Sequence, residues 1–235
     1  MLTNGDIIRF YKSLEQEISQ SAIHFRIHQL VKKGVLHRTG RGRYSLQRLS
    51  NYIPETTKEI AILHKTIQKE FPFIDLCIWR TSIINEFMIH QPGLFLTLVE
   101  TERDTIDSLF YFLKEKKYPV LAEPTEEIMD KYLPWDKEPV ILTPLVTEAP
   151  TLQVDNIITV SLEKMLVDIF CDNVIFSAQQ GNEMDTIFIK ALSTYAVNQS
   201  KMVRYADRKG RKEELRKYLK SISTKRQNIS ITAKI

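Results

Sequence analysis

Ser21, Phe25, His28 and Lys32 recur at steps of three and four, so a helix through this stretch gathers them on one face, with His24 and Gln29 flanking. Small and hydrogen-bonding side chains of this kind are what a helix needs to reach base edges in a DNA major groove. Phe25 has two readings here, contact with a thymine methyl or sugar, or packing on the following domain. Three arginines come next, Arg38, Arg41 and Arg43, around Thr39-Gly40-Arg41-Gly42. Cations on such a turn suit phosphates. The plainer alternative is a pair of ordinary surface histidines beside a solvated basic turn. His24 and His28 also have the i, i+4 spacing of a zinc-binding helix. No glutamate follows the first histidine and no third ligand stands nearby, so no metal is expected.

The elements that must position these residues are legible. Ile23, Ile27, Leu30 and Val31 form the inner stripe of the helix, Ser21 is the expected N-cap, and Gly34 after Lys32-Lys33 is the expected stop. Val35 to Arg38 and Arg43 to Leu46 are expected to pair as short strands across the glycine-containing turn. Upstream, Leu2 to Leu14 reads as a first helix capped by Thr3 or Asn4, with Ile7, Ile8, Tyr11 and Leu14 as its stripe. Glu15 to Ser19 connects the two helices. Helix, turn, helix and basic hairpin over residues 1–50 predict a compact winged helix-turn-helix.

The length suits one large or two modest domains, and 43% hydrophobic residues is ample for a packed core. Cys77 and Cys171 are too few and too far apart for a disulfide framework, which suits a reducing compartment. Asp6 and Arg9 interrupt any secretory signal, and no apolar run approaches a bilayer span, so a cytoplasmic protein is expected. The net charge of +4 hides an asymmetry. Residues 1–50 carry nine Lys/Arg against three acids, and 200–220 again nine against three, which leaves the middle strongly acidic. Basic ends around an acidic centre suggest faces for different partners, with nucleic acid at the ends.

After a linker at Asn51 to Glu55, residues 56–222 read as an α/β domain with a helical, basic C-terminal part, giving a mixed α+β chain overall. Helices are expected over Glu59–Phe71, Ser82–Ile89, Asp104–Lys117, Thr125–Tyr132, from Ser161 on, Met184–Ala196 and Lys201–Leu219, the last divided at Gly210. Strands are expected at Ile74–Trp79, Leu94–Glu100, Val120–Leu121, Pro139–Leu142 and Asn156–Val160. The proline-rich run 134–150 reads as an ordered excursion, and 223–235 as a mobile tail. Lys164 and Asp168 form an i, i+4 pair expected to sit outward. Arg204, Arg208, Arg211, Lys212, Arg216 and Lys217 form a second basic surface, read as a phosphate site, a solvated face or a surface for an acidic partner.

Glu100 and Glu102 are two apart at a strand end, a spacing that would suit magnesium for nucleotidyl transfer. The neighbouring Thr81-Ser82 turn lacks the glycine that grips a triphosphate, so a solvated strand end is the better reading. No phosphate-binding glycine loop and no Ser/His/Asp or Cys/His set stands out, and neither catalysis nor a cofactor is expected.

Three motifs in order resemble the antitoxin of the AbiE abortive-infection system, a type IV toxin–antitoxin family. They are LVKKGVLHRTGRGRYSL at Leu30 to Leu46, VSLEKMLVD at Val160 to Asp168, and VRYADR at Val203 to Arg208. The order covers nearly the whole chain, although Trp79 to Glu102 departs from the family's usual strands. The resemblance implies a cytoplasmic regulator that represses its own promoter. It also implies counteraction of a nucleotidyltransferase-like toxin without a stable complex. A nucleic-acid enzyme using Glu100 and Glu102, and a protein-interaction module with an incidental wing, are the competing readings.

Overall fold

A reciprocal cap starts the first helix. In the computed structural model, which describes residues 2–46, 49–133 and 138–232 apart from the side chains of 39 and 227–232, β1 (Leu2–Thr3) runs into α1 (Asn4–Leu14). The Thr3 hydroxyl accepts from the Asp6 N–H, and the Asp6 carboxylate accepts from the Thr3 N–H at 2.9 Å. Two donors that a helix start leaves open are thereby satisfied. α2 covers Gln20–Lys32, and its cap is Ser19 rather than Ser21, because Ser19 accepts the Ala22 N–H. The apolar stripe cannot separate two serines that both precede it, and Ser21 lies exposed in the first turn.

Ile7, Ile23, Ile27, Leu36 and Tyr44 make a small core, with Ile8, Tyr11, Leu30 and Val31 packed against it. Leu14 is the last residue of α1 and leaves that stripe, 66% exposed. The hairpin strands are β2 (His37–Gly40) and β3 (Arg43–Ser45), shorter than the apolar run suggested. The Val35 and Leu36 N–H groups both donate to the Leu30 carbonyl, at 3.0 and 3.1 Å, so they close α2 instead of opening a strand. Gly40 pairs with Arg43, leaving Arg41-Gly42 as the turn. Gly42 has φ +68°, and a Cβ there would come within 3.3 Å of the Asn4 side chain. The Asn4 N–H donates to the Gly42 carbonyl at 2.9 Å, which pins the hairpin to α1. β1 pairs with β3 to give the order β1-β3-β2.

The main sheet belongs to the segment α3 (Lys58–Glu70), β4 (Leu76–Arg80), β5 (Thr97–Thr101), α4 (Ile106–Glu115), β6 (Val120–Ala122), α5 (Glu126–Tyr132) and β7 (Val140–Pro144). Its order is β4-β5-β7-β6, with β4 antiparallel to β5 and the other pairs parallel. The helix expected after β4 is a 3-10 helix over Thr81–Phe87. Successive strand residues point to opposite faces. Leu76, Ile78, Val99, Val140 and Leu142 pack with Ile60, Leu63 and Ile67 of α3 and with Leu109 and Leu113 of α4. Cys77, Trp79, Leu98 and Ile141 join the larger core on the other side.

That other side is covered by the end of the chain. A hairpin of β8 (Thr151–Val154) and β9 (Ile157–Val160) turns through Asp155-Asn156, both at positive φ as a two-residue turn requires. Only β9 was expected. Then come α6 (Leu162–Cys171), α7 (Asn182–Thr194), α8 (Gln199–Arg208) and α9 (Lys212–Thr232), with the predicted break at Gly210. The tail expected from 223 is helical to Thr232. Ile222 is buried, the Lys225 ammonium pairs with Asp185, and Arg226 donates to the Leu192 carbonyl at 3.0 Å, so α9 is held along α7. The residue just before the linker is anchored as well, since the Ala196 N–H donates to the Ser50 carbonyl at 2.9 Å. Residues 134–137 of the proline-rich run, Arg48 and the final residues 233–235 lie outside the described residues.

Candidate functional site

Lys164 and Asp168 do pair, but inward, the reverse of their expected orientation. Ser161 caps α6 as expected, accepting the Lys164 N–H at 3.2 Å. α6 is then buried nearly all round, with Met165, Leu166, Val167 and Ile169 inaccessible, and Lys164 and Asp168 are buried with them while Glu163 is half-buried. The Lys164 side chain is 0% exposed, and its ammonium donates to both Glu100 oxygens and to Asp168 Oδ2 at 2.6 Å each. Asp168 Oδ1 accepts from the Tyr205 hydroxyl at 2.9 Å and pairs with Lys209 Nζ at 2.6 Å. Trp79 Nε1 donates to Glu100 at 2.9 Å, and its ring stacks on Phe176.

The network contains two cations and two carboxylates, and every carboxylate oxygen has a partner. Burial opposes ionisation of Asp168, but Lys164 and then Lys209 outweigh it and hold its pKa below the ordinary value. Burial likewise opposes charge on Lys164, and Asp168 and Glu100 reverse that, leaving its pKa well above the ordinary value. Tyr205 is driven upward by burial and by Asp168. The charges are satisfied by one another, with Lys164, Glu100 and Asp168 buried and Lys209 partly exposed, so the network ties α6, β5 and the end of α8 together. It also joins two of the motifs read in the sequence, since Lys164 and Asp168 belong to one and Tyr205 to the other.

Glu100 and Glu102 are committed to separate partners. Glu102 lies just past β5 and accepts from the Asp75 N–H at 3.0 Å and the Thr101 hydroxyl at 3.2 Å. Among the described residues no group of three His, Cys, Asp or Glu side chains is placed to hold a metal ion.

On α2, Ser21, His24, Phe25, His28 and Lys32 are exposed together, and Gln29 is half-buried beside them. Among the described residues none of these six side chains is held by a hydrogen bond or ion pair. Arg26, on the flank of the same helix, is held, donating to Glu15 at 3.1 Å and lying over the Tyr11 ring. The structure thus fixes α2 from one side and leaves the six residues on the other. The hairpin arginines are not equivalent. Arg41 is exposed in the turn, Arg38 is exposed and donates to the Gly40 carbonyl at 3.4 Å, and Arg43 is half-buried, its pKa lowered by burial.

The second basic surface is partly neutralised. Arg204 and Arg208 both reach Glu148, Arg211 pairs with Glu214 at 3.5 Å, Lys212 with Asp207 at 2.8 Å and Arg216 with Glu213 at 2.7 Å. Lys217 is exposed with no such partner among the described residues. Arg204, Lys212, Arg216 and Lys217 line one groove with Arg43, whereas Arg208 and Arg211 lie outside it.

Sequence reasoning missed the buried network as a unit. The available signal was α6 itself, because a helix apolar on every face must take its Lys and Asp inward. Fold and surface together define a mixed α/β protein in which a small basic helical unit precedes a sheet domain locked by a buried ion network. The chain belongs to a family of unknown function (DUF6577), whose model matches residues 22–225, from α2 through most of α9. No curated protein and no solved structure matches it.

Proposed function

We propose that this protein is a DNA-binding regulator whose N-terminal unit acts as a compact winged helix-turn-helix. α2 would enter the major groove with Ser21, His24, Phe25, His28, Gln29 and Lys32, and Arg38, Arg41 and Arg43 would hold the backbone. The observation that carries this reading is the α2 face, six side chains exposed or half-buried and unengaged beside a basic hairpin. The experiment is binding to the DNA upstream of the protein's own gene and to a scrambled duplex, each at two salt concentrations. Tighter, salt-sensitive binding to the upstream duplex is the expected result. Equal affinity for both duplexes would reduce α2 to a basic surface.

Within that reading, the motif resemblance favours a cytoplasmic, AbiE-like antitoxin that represses its own promoter and counteracts a nucleotidyltransferase-like toxin without forming a stable complex with it. Among the described residues no helix is long and apolar enough to cross a membrane. Co-expression with a transferase-like toxin encoded beside the gene is expected to restore growth. Continued arrest in cells that contain folded protein would remove the antitoxin role and leave the regulator.

A further inference from the structure

The two basic ends of the sequence meet in space. A groove of about 1670 Å³ runs between the N-terminal unit and the last two helices. One wall carries Thr3, Asp6, Arg9 and Arg43, and the other is the outer face of α8 and α9. On α9 the Arg216, Lys217 and Lys220 side chains line the groove close together along the helix, Leu219 and Ile222 form its apolar floor, and Leu215 is buried away from it.

The acids of the groove are already answered. Asp6 pairs with Arg9, and its carboxyl is held at about 2 by the Thr3 hydroxyl and backbone and then by Arg9. Asp207 pairs with Lys212, and Glu213 with Arg216. What remains in excess is positive. Lys217 and Lys220 are exposed without an ion-pair partner among the described residues, and Arg43 faces them from the opposite wall in a setting where burial disfavours its charge. Uncompensated cations on two facing walls concentrate anions between them. The opening exceeds the several hundred Å³ of a typical small-ligand pocket. An extended anion fits it better than a compact one.

We propose that this groove is a second nucleic-acid contact, in which Arg43 on the hairpin side and Lys217 and Lys220 on α9 hold successive phosphates of a sugar–phosphate backbone. It extends the DNA-binding reading, yet it does not depend on α2 reading any sequence. Arg43 then acts as the inner end of the hairpin, toward the groove, while Arg41 acts at its tip.

The test measures affinity of the full chain for a duplex of arbitrary sequence and for a single strand of the same length, as a function of salt. Three variants are compared with the wild type: Arg43→Ala with Lys217→Ala and Lys220→Ala, Lys217→Glu with Lys220→Glu, and Arg41→Ala. At about 0.9 released ion per duplex phosphate, the triple variant is expected to show a log–log salt slope shallower by about 3. The charge-reversed pair leaves the hairpin untouched and is expected to weaken binding at least tenfold. A triple variant that stays folded and keeps the wild-type slope would overturn the groove. Arg41→Ala separates the two readings. If it weakens binding while the α9 variants do not, the hairpin contact stands and the groove fails. The converse removes the hairpin tip and keeps the groove.

Discussion

Lys164→Ala is expected to lower the unfolding free energy by about 3–5 kcal/mol, the usual cost of removing one partner from a buried ion cluster. The ammonium is fully buried and donates to three carboxylate oxygens. Its removal leaves Glu100 without its cation and Asp168 with Lys209 as its one remaining ion-pair partner among the described residues, both carboxylates being buried. The same argument predicts partial recovery when three of the four charges are deleted together, as in Lys164→Met with Glu100→Gln and Asp168→Asn, because the remaining Lys209 is partly exposed and can turn to water. Neutral amides lose far less on burial than carboxylates do. Urea unfolding of the three proteins is the measurement. A Lys164→Ala protein within about 1 kcal/mol of wild type would mean that the cluster is hydrated, since only solvated charges are so weakly coupled.

The pH dependence follows from the same groups. Asp168 titrates below its ordinary value in the folded chain, so its contribution is present above about pH 4 and is lost as pH falls through the lower folded value. Lys164 and Tyr205 titrate above theirs, so their contributions are present below about pH 10 and are lost as pH rises through the higher folded values. The network therefore predicts a urea midpoint that is flat across neutral pH and falls at both extremes. In Lys164→Ala the alkaline arm from the lysine disappears.

That network also marks where the sequence stopped being readable. Spacing of i, i+4 brings Lys164 and Asp168 together on whichever side of α6 they lie, so it identifies the pair without its direction. Direction is decided by Val167 and Ile169, whose burial leaves the helix no wet face. Patterns with one buried side were legible: the α2 stripe of Ile23 and Ile27, the Ser161 cap, and the break at Gly210 between α8 and α9. Features set by partners distant in sequence were not. β1 is two residues long and exists because it pairs with β3, and Glu102 leaves the alternation of β5 because it caps Asp75. α9 outruns its apolar pattern because α7 supplies Asp185 and the Leu192 carbonyl to hold it. In the candidate interface, residue identity and face were readable on α2, while the unequal exposure of Arg41 and Arg43 depended on a turn only two residues long.

Replacing His24 and His28 by alanine is expected to erase the preference for the upstream duplex while leaving the salt dependence as it was. Side chains that meet base edges carry discrimination of about 1–3 kcal/mol per good contact. Their loss should bring the upstream duplex down to the affinity of the scrambled one, a change of ten- to a hundredfold for one or two such contacts. Arg41→Ala is expected to do the opposite. A phosphate contact is blind to sequence, so both duplexes weaken together and the salt slope falls by about 1. The two outcomes are separable because the residues sit on different elements: His24 and His28 on the exposed face of α2, Arg41 in the hairpin turn. Neither change touches the small core of Ile7, Ile23, Ile27, Leu36 and Tyr44, so fold stability should be preserved in both. If the histidine variant kept its selectivity and lost only salt-dependent affinity, α2 would be lying along the backbone, and sequence would have to be read through duplex shape instead.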